Sequence, residues 1–310
     1  MKKIMVDKNK GIKDCKKAST KKLEDVHFGI IGLGLIGGSY AKALRKIGVK
    51  QITGVDIDRS TIEKALNDKI IDVGLLVNNT KKLKDVDVII CSIYPSALID
   101  FIKANVCNFK EDVLLTDALG IKGEIPSKID ELLGEKMEFI AAHPMAGREG
   151  NGLSQAKAEI FDGANYILVP RKVNNKKSVL WMENFAHALG CSKVVCVNEK
   201  KHDEIIAYTS NLPHAIAVSL LNSSSMNSNT KYFIAGSFKD ATRVADINEE
   251  LWSDLFLANA ENVVSEIQKL KNQLDRWQKA LTNRDARSLK SMMKEASSKR
   301  RGMTNEKVKG

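Results

Sequence analysis

Several protein classes are excluded by what this sequence lacks. No apolar run approaches the ~18–20 residues that a membrane-crossing helix needs. The basic start, MKKIMVDKNKGIKD, has no apolar h-region, so no secretory signal is expected. The five cysteines, Cys15, Cys91, Cys107, Cys191 and Cys196, have no CxxC spacing. An odd, scattered set argues against a disulfide framework and fits a reduced, cytoplasmic setting. Cys91 and Cys196 lie in apolar runs and are expected to fill core space. HExxH, Cys/His clusters and a P-loop are all missing, so neither a metal site nor a nucleotide hydrolase is expected. Aromatic residues make up 5% of the chain, and none interleaves with the basic runs.

Charge of one sign is missing where it would matter most. The net charge is +11. Residues 1–26 hold nine Lys against four acids, and residues 284–310 hold nine Lys or Arg against three acids. Between them, 31 basic residues balance 31 acidic ones. The basicity therefore belongs to two ends expected to be solvated, and neither nucleic acid nor a membrane is an expected partner.

What is present is an alternation of strand and helix patterns from residue 27 onward, in a chain of 310 residues with 43% apolar content. Such alternation predicts an α/β fold, a doubly wound Rossmann-type domain with a parallel sheet. Short apolar runs at 28–31, 51–55, 86–93, 112–116, 139–142, 166–170 and 193–197 read as strands. Helices are predicted at 40–47, 60–67 (with Ser60 as N-cap), 96–103 and 178–188. After residue 198 the pattern changes to long helices at 202–222 and 251–281, with a shorter one at 285–297. The expected organisation is a basic extension (1–26), a dinucleotide-binding domain (27–197), an all-α substrate and dimerisation domain (198–297) and a basic tail (298–310). Long helices with broad apolar faces often pair between subunits, so a homodimer is expected.

The chain is organised around residues 27–58. A buried strand ends in Gly32-Leu-Gly34-Leu35-Ile36-Gly37, a helix follows, and a second strand closes on Asp56. This is the dinucleotide fingerprint in full context, with an acid about the expected ~20 residues on. Gly32 permits the tight turn, Gly34 lets backbone approach a pyrophosphate, and Gly37 lets helix and strand pack closely. The helix N-terminus favours the anion. Asp56 is placed to accept from ribose hydroxyls and would repel a 2′-phosphate, which favours NAD over NADP. Arg59 lies three residues on and would soften that preference. Leu35, Ile36, Ser92 and Asp117 complete the expected cofactor contacts. In an open parallel sheet, ligands bind outside the carboxyl ends of the strands. Gly32, Tyr94, Asp117 and His143 all follow strands.

Three further constellations carry chemistry. His143, in HPMAGRE, sits on a constrained turn after a strand; an imidazole with an ordinary pKa near 6.5 suits proton abstraction. Spacing alone fits a strand-capping histidine equally well. In SNLPH, Pro213 implies a kink, and His214 reads more simply as a buried structural residue. In GSFKDATR, Lys239 and Arg243 share a face if helical. Two cations there suit a carboxylated substrate, Arg by bidentate contact; a solvated basic face fits as well. Trp252 opens an apolar helix and reads as core.

Together these segments resemble the prephenate/arogenate dehydrogenases of tyrosine biosynthesis. The resemblance is carried by GIIGLGLIGGS, VDID, TDALGIKGEI, HPMAGREGNG, SNLPHAIA, GSFKDATRVA and LWSDLFLAN, in that order. It implies NAD-dependent oxidative decarboxylation of prephenate, or of arogenate, in a cleft between a nucleotide-binding and a helical dimerisation domain. By the same resemblance His143 would be the base, Arg243 would bind a substrate carboxylate, His214 and Lys239 would line the pocket, and Glu149 would stand at its entrance. Two positions depart from the family pattern. Gly120 stands where many relatives place a serine that orients the histidine, and Asn211 stands where many have a second histidine. Water or Thr116 is expected to replace the serine; otherwise the chain would bind NAD without turnover.

Overall fold

The computed structural model describes residues 21–147 and 150–305. Most of the basic extension, Cys15 and Glu149 therefore lie outside the described residues. Strands β1 (His27–Ile31), β2 (Gln51–Asp56), β3 (Val73–Leu76), β4 (Val88–Cys91), β5 (Leu114–Asp117), β6 (Glu138–Pro144), β7 (Asn165–Val169) and β8 (Lys193–Cys196) form one sheet. Among the described residues its order is β3-β2-β1-β4-β5-β6-β7-β8. From β3 to β6 every pairing is parallel. The central strands β1, β4, β5 and β6 are buried on both faces, which is why they read as unbroken apolar runs.

The helices between strands are α1 (Leu35–Ile47), α2 (Arg59–Asn67), α3 (Pro95–Asn105), α4 (Ile125–Leu132) and α5 (Lys176–Ala188). One core layer joins Phe28, Ile30, Leu44, Tyr166 and Phe185. The other joins Ile31, Ile89, Phe101, Ile129 and Phe139. Alternate residues of β1 point to opposite layers, as the two-residue period of a strand requires.

The sheet is mixed where a parallel one was expected. β7 runs antiparallel to β6, and β8 parallel to β7. A parallel neighbour needs a crossover, usually a helix. The described links between β6 and β7 instead include short 3₁₀ turns, Leu153–Gln155 and Ala158–Phe161, laid against α1. Strand β3, with a glycine in its middle, was not visible as a strand in the sequence. The cap of α2 is Asp58, whose carboxylate accepts from the Ser60 and Thr61 amides, not Ser60. Cys91 is buried, but Cys196 is exposed on the edge strand, because β8 has a neighbour on one side only.

After β8 the chain is helical: α6 (Glu199–Ile206), a π-turn (Ala207–Asn211), α7 (Leu212–Leu221), α8 (Gly236–Thr242), α9 (Glu249–Ala258), α10 (Ala260–Thr282) and α11 (Ala286–Asn305). The kink expected at Pro213 is absorbed by the π-turn before it, where the Leu212 amide reaches back to the Ala207 carbonyl. The helix expected over 251–281 breaks at Asn259. Its side-chain amide donates to the Asp203 carbonyl (3.0 Å) and to Asn211 Oδ1 (3.1 Å), both buried. That bridge outweighs helix continuity, since a buried polar group without partners is costly. The last helix, expected to end at 297, runs as α11 to Asn305, and the rest of the basic tail lies outside the described residues.

Candidate active site

The order of the sheet reverses between β1 and β4, and this switch point is where open α/β sheets bind ligands. Gly32 has φ +86°, and a Cβ there would lie 2.6 Å from the Ser92 carbonyl. A Cβ on Gly37 would lie 1.8 Å from the Gly32 carbonyl, so α1 touches the turn through bare backbone. Gly34 faces open space. No side chain caps the N-terminus of α1, which leaves amides available to an anion. Asp56 braces the turn by accepting from the Leu33 amide (2.7 Å) and the Asp58 amide (2.9 Å). The Ser92 Oγ is buried and has no hydrogen-bond partner among the described residues. A bare glycine cradle with an orphan hydroxyl beside it fits the phosphates and ribose of a dinucleotide.

Gly34, Leu35, Ile36, Ser92, Gly120 and His143 line a cleft of about 910 Å³ whose far side carries His214, Arg243 and Trp252. The expected base and the expected anion-binding cation thus face one space. Asp117 does not join them. It is fully buried and takes up the buried Lys122 ammonium, the Ala142 amide (2.8 Å) and the Leu119 amide (3.2 Å). Its carboxylate is needed to neutralise a lysine inside the protein, because a lone buried charge is prohibitively costly. The cofactor role expected of Asp117 is corrected accordingly. Lys239 is exposed and does not line the cleft. Helix α8 ends at Thr242, so Lys239 and Arg243 do not share a continuous helical face.

Strand β6 delivers His143 to the cleft. Its Nδ1 lies 3.0 Å from His202 Nε2, and His202 Nδ1 lies 2.7 Å from Asp203 Oδ1. The same carboxylate accepts the Lys122 amide (3.0 Å) and the Gly123 amide (2.7 Å). Lys122 Nζ also donates to the Ala142 carbonyl (2.6 Å). Burial holds the His143 imidazole well below its ordinary pKa, with the Lys122 charge and His202 adding to the effect. The ring is therefore neutral, as a proton acceptor must be.

On the far side, the π-turn aims Ser210 and His214. His214 Nδ1 donates to the Ser210 carbonyl (2.8 Å), and its ring packs against Trp252, tilted by 30° with centroids 3.6 Å apart. Burial lowers the His214 pKa, and Arg243 lowers it further. His214 thus offers the cleft a neutral acceptor, and the positive charge comes from Arg243. Trp252 is half-buried and lines the cleft, a correction to its reading as core.

A Cβ on Gly120 would sit 3.4 Å from Leu255 and 3.9 Å from His143 Cε1, so the bare glycine offers that edge of the ring no hydroxyl. Thr116 does not replace the missing serine: it is fully buried in β5 and lines no part of the cleft. Sequence reasoning missed His202, Asp203 and Asn259. His202-Asp203 read as the polar start of a helix, and nothing in spacing pairs it with residue 143. Among the described residues, no cluster of His, Cys, Asp or Glu could hold a metal ion, and no helix is long and apolar enough to cross a membrane.

Comparison with known proteins agrees with this architecture. Residues 40–195 match the family model described as prephenate dehydrogenase, nucleotide-binding domain, and residues 198–295 match prephenate dehydrogenase, dimerization domain. The chain is 28% identical over 281 residues to a prephenate dehydrogenase of Bacillus subtilis, covering 88% of this chain and 75% of that one. It is 29% identical to a cyclohexadienyl dehydrogenase of Zymomonas mobilis, covering 87% and 93%. The structure of a prephenate dehydrogenase from A. aeolicus, in complex with hydroxyphenyl propionate and NAD+, superposes with a TM-score of 0.83 at 30% identity. It covers 91% of this chain and 100% of that one.

Proposed function

The chain belongs to the prephenate dehydrogenase family, and from that premise we propose that it catalyses NAD-dependent oxidative decarboxylation of prephenate to 4-hydroxyphenylpyruvate. The observation that carries the reading is the shared cleft: a neutral imidazole at 143, residues 34–36 of the glycine turn and Arg243 border one space. The cofactor would be held by Gly32, Gly34, Leu35, Ile36, Gly37, Asp56 and Ser92. NAD held there would supply the acceptor for the hydride of the hydroxyl-bearing ring carbon.

The chain's own residues supply the rest. His143 accepts the proton of the ring hydroxyl as its carbon becomes a carbonyl. Arg243 holds a substrate carboxylate, and His214 and Trp252 wall the ring. The carbon–carbon bond to the opposite carboxylate then breaks, carbon dioxide leaves, and the electron pair moves through the ring to the carbonyl oxygen, which becomes the phenol oxygen of an aromatic ring as it takes back the proton held by His143. Glu149 is proposed at the entrance by resemblance alone. In the test, purified protein is mixed with NAD and either prephenate or arogenate, and nicotinamide absorbance is followed. A rise with prephenate is the expected result; no rise with either acid would leave a non-catalytic NAD-binding protein.

The helical half supports a homodimer. Helix α7 is apolar along most of its length, yet only Leu212 and Ala217 are buried. Ile267, Leu274, Trp277 and Leu281 of α10 are also exposed. Their spacing matches the seam of paired helices, and a second copy laid on α7 and α10 would cover it. The free cysteines at 91, 107, 191 and 196 are consistent with a cytoplasmic setting.

A further inference from the structure

We propose that His202 and Asp203 are positioning residues for this reaction: they hold His143 in the one neutral tautomer whose cleft-side nitrogen, Nε2, is free to take the substrate proton. The inference rests on the reading of His143 as the base.

The logic is that of donors and acceptors. A carboxylate only accepts, so Asp203 takes the proton-bearing Nδ1 of His202 (2.7 Å). With a single ring proton, His202 then has its lone pair on Nε2. That lone pair, 3.0 Å from His143 Nδ1, must receive a hydrogen bond, so His143 donates from Nδ1. A neutral imidazole has one N–H to give, and Nε2 is left bare.

The surroundings lock the chain of bonds. His202 and Asp203 are both buried. Asp203 is fixed by the Lys122 and Gly123 amides and, through its own carbonyl, by Asn259. The charged group beside the rings is Lys122, and Asp117 is its partner. His143 belongs to the sheet, whereas His202 and Asp203 belong to the first helix beyond it. Seating that helix on the loop before α4 therefore also sets the tautomer. Gly120 has no side chain with which to hydrogen-bond the ring, so orientation falls to the relay behind it.

The test uses the full chain. With ¹⁵N-labelled histidine, ring-nitrogen shifts of the unmodified protein should report His143 protonated on Nδ1; protonation on Nε2 would overturn the proposal. Asp203→Asn should lower kcat by about 10- to 10²-fold, part of the about 10²–10⁴-fold that a general base supplies, with little change in KM or NAD affinity. The acid limb of its kcat/KM profile should move to lower pH, because the carboxylate no longer favours the imidazolium. An unchanged kcat and profile would overturn the proposal. His202→Gln, whose amide oxygen still accepts from His143, should retain more turnover than His202→Phe, which only fills the space; the reverse order would mean a packing role. A His143→Asn control separates the two readings. If it turns over normally, the base assignment itself fails; if it is inactive while Asp203→Asn is normal, only the relay fails. Should Asp203→Asn not fold, the tautomer measurement and the His202 pair still decide.

Discussion

Under the sheet, Phe28, Ile30, Ile90 and Leu168 are all 0% exposed. Across the cleft, α8 and α9 bury no residue, and Leu257 of α9 is 77% exposed. The sheet half closes two core layers by itself and needs no neighbour. The helical half carries apolar surface that this chain leaves uncovered, and yet it supplies the cleft with Arg243, His214 and Trp252. On the proposed function a division of labour follows: the sheet side would provide the cradle and the base, and the helical side the substrate's counter-charge, on a scaffold that a second copy would complete.

The contrast can be broken at either wall. The largest effect is expected at the sheet wall, where His143→Asn should lower turnover by ~10²–10⁴-fold while calorimetry still detects NAD binding. Burial keeps the His143 pKa well below its ordinary value, so kcat/KM should hold its plateau as pH falls through ~6.5, where a free imidazole would already be protonated. Below that pH the unfolded chain binds a proton that the folded chain does not, so stability should also decline.

Next comes the helical seam. Leu274→Glu with Leu281→Glu should dissociate the proposed dimer, each leucine contributing ~1.5–3 kcal/mol if fully covered. Light scattering should then report a single-chain mass, and NAD binding by the sheet half should persist. A mass unchanged by the substitutions would place the interface elsewhere. Arg243→Ala should raise KM by roughly 10- to 10²-fold, since a charged hydrogen bond is worth ~1.5–3 kcal/mol and each 1.4 kcal/mol is tenfold. It should leave NAD affinity alone. The smallest effect belongs to Gly120→Ala. Its Cβ meets Leu255 at ordinary contact distance, so turnover should stay near normal and thermal unfolding should show a gain of ~0.4–1 kcal/mol from reduced chain entropy.

How far each wall could be read in advance differs in the same way. The glycine turn, its strand, its helix and Asp56 are neighbours in the chain, and local geometry dictates them; they were legible residue by residue. Strand positions were legible because burial on both faces leaves apolar runs, but the direction of β7 was not, since it depends on what lies between strands. His143, His214 and Arg243 were visible as candidates through motif chemistry and resemblance. The relay was not, because His202 lies 59 residues from His143 in sequence and only the fold joins them. Asp117 misled for a related reason: a carboxylate at a strand end looks like a ligand contact until the buried Lys122 is known to claim it. The break at Asn259 was hidden by an apolar helical pattern on both sides, and a buried amide bridge outweighed that pattern.

The most direct test of the account is a crystal structure of this chain with NAD and a phenolic substrate analogue bearing a carboxylate. The account predicts the phenol oxygen within hydrogen-bond distance of His143 Nε2, the carboxylate on Arg243 and the nicotinamide over the ring. A phenol turned away from His143, or a carboxylate held by groups other than Arg243, would contradict it.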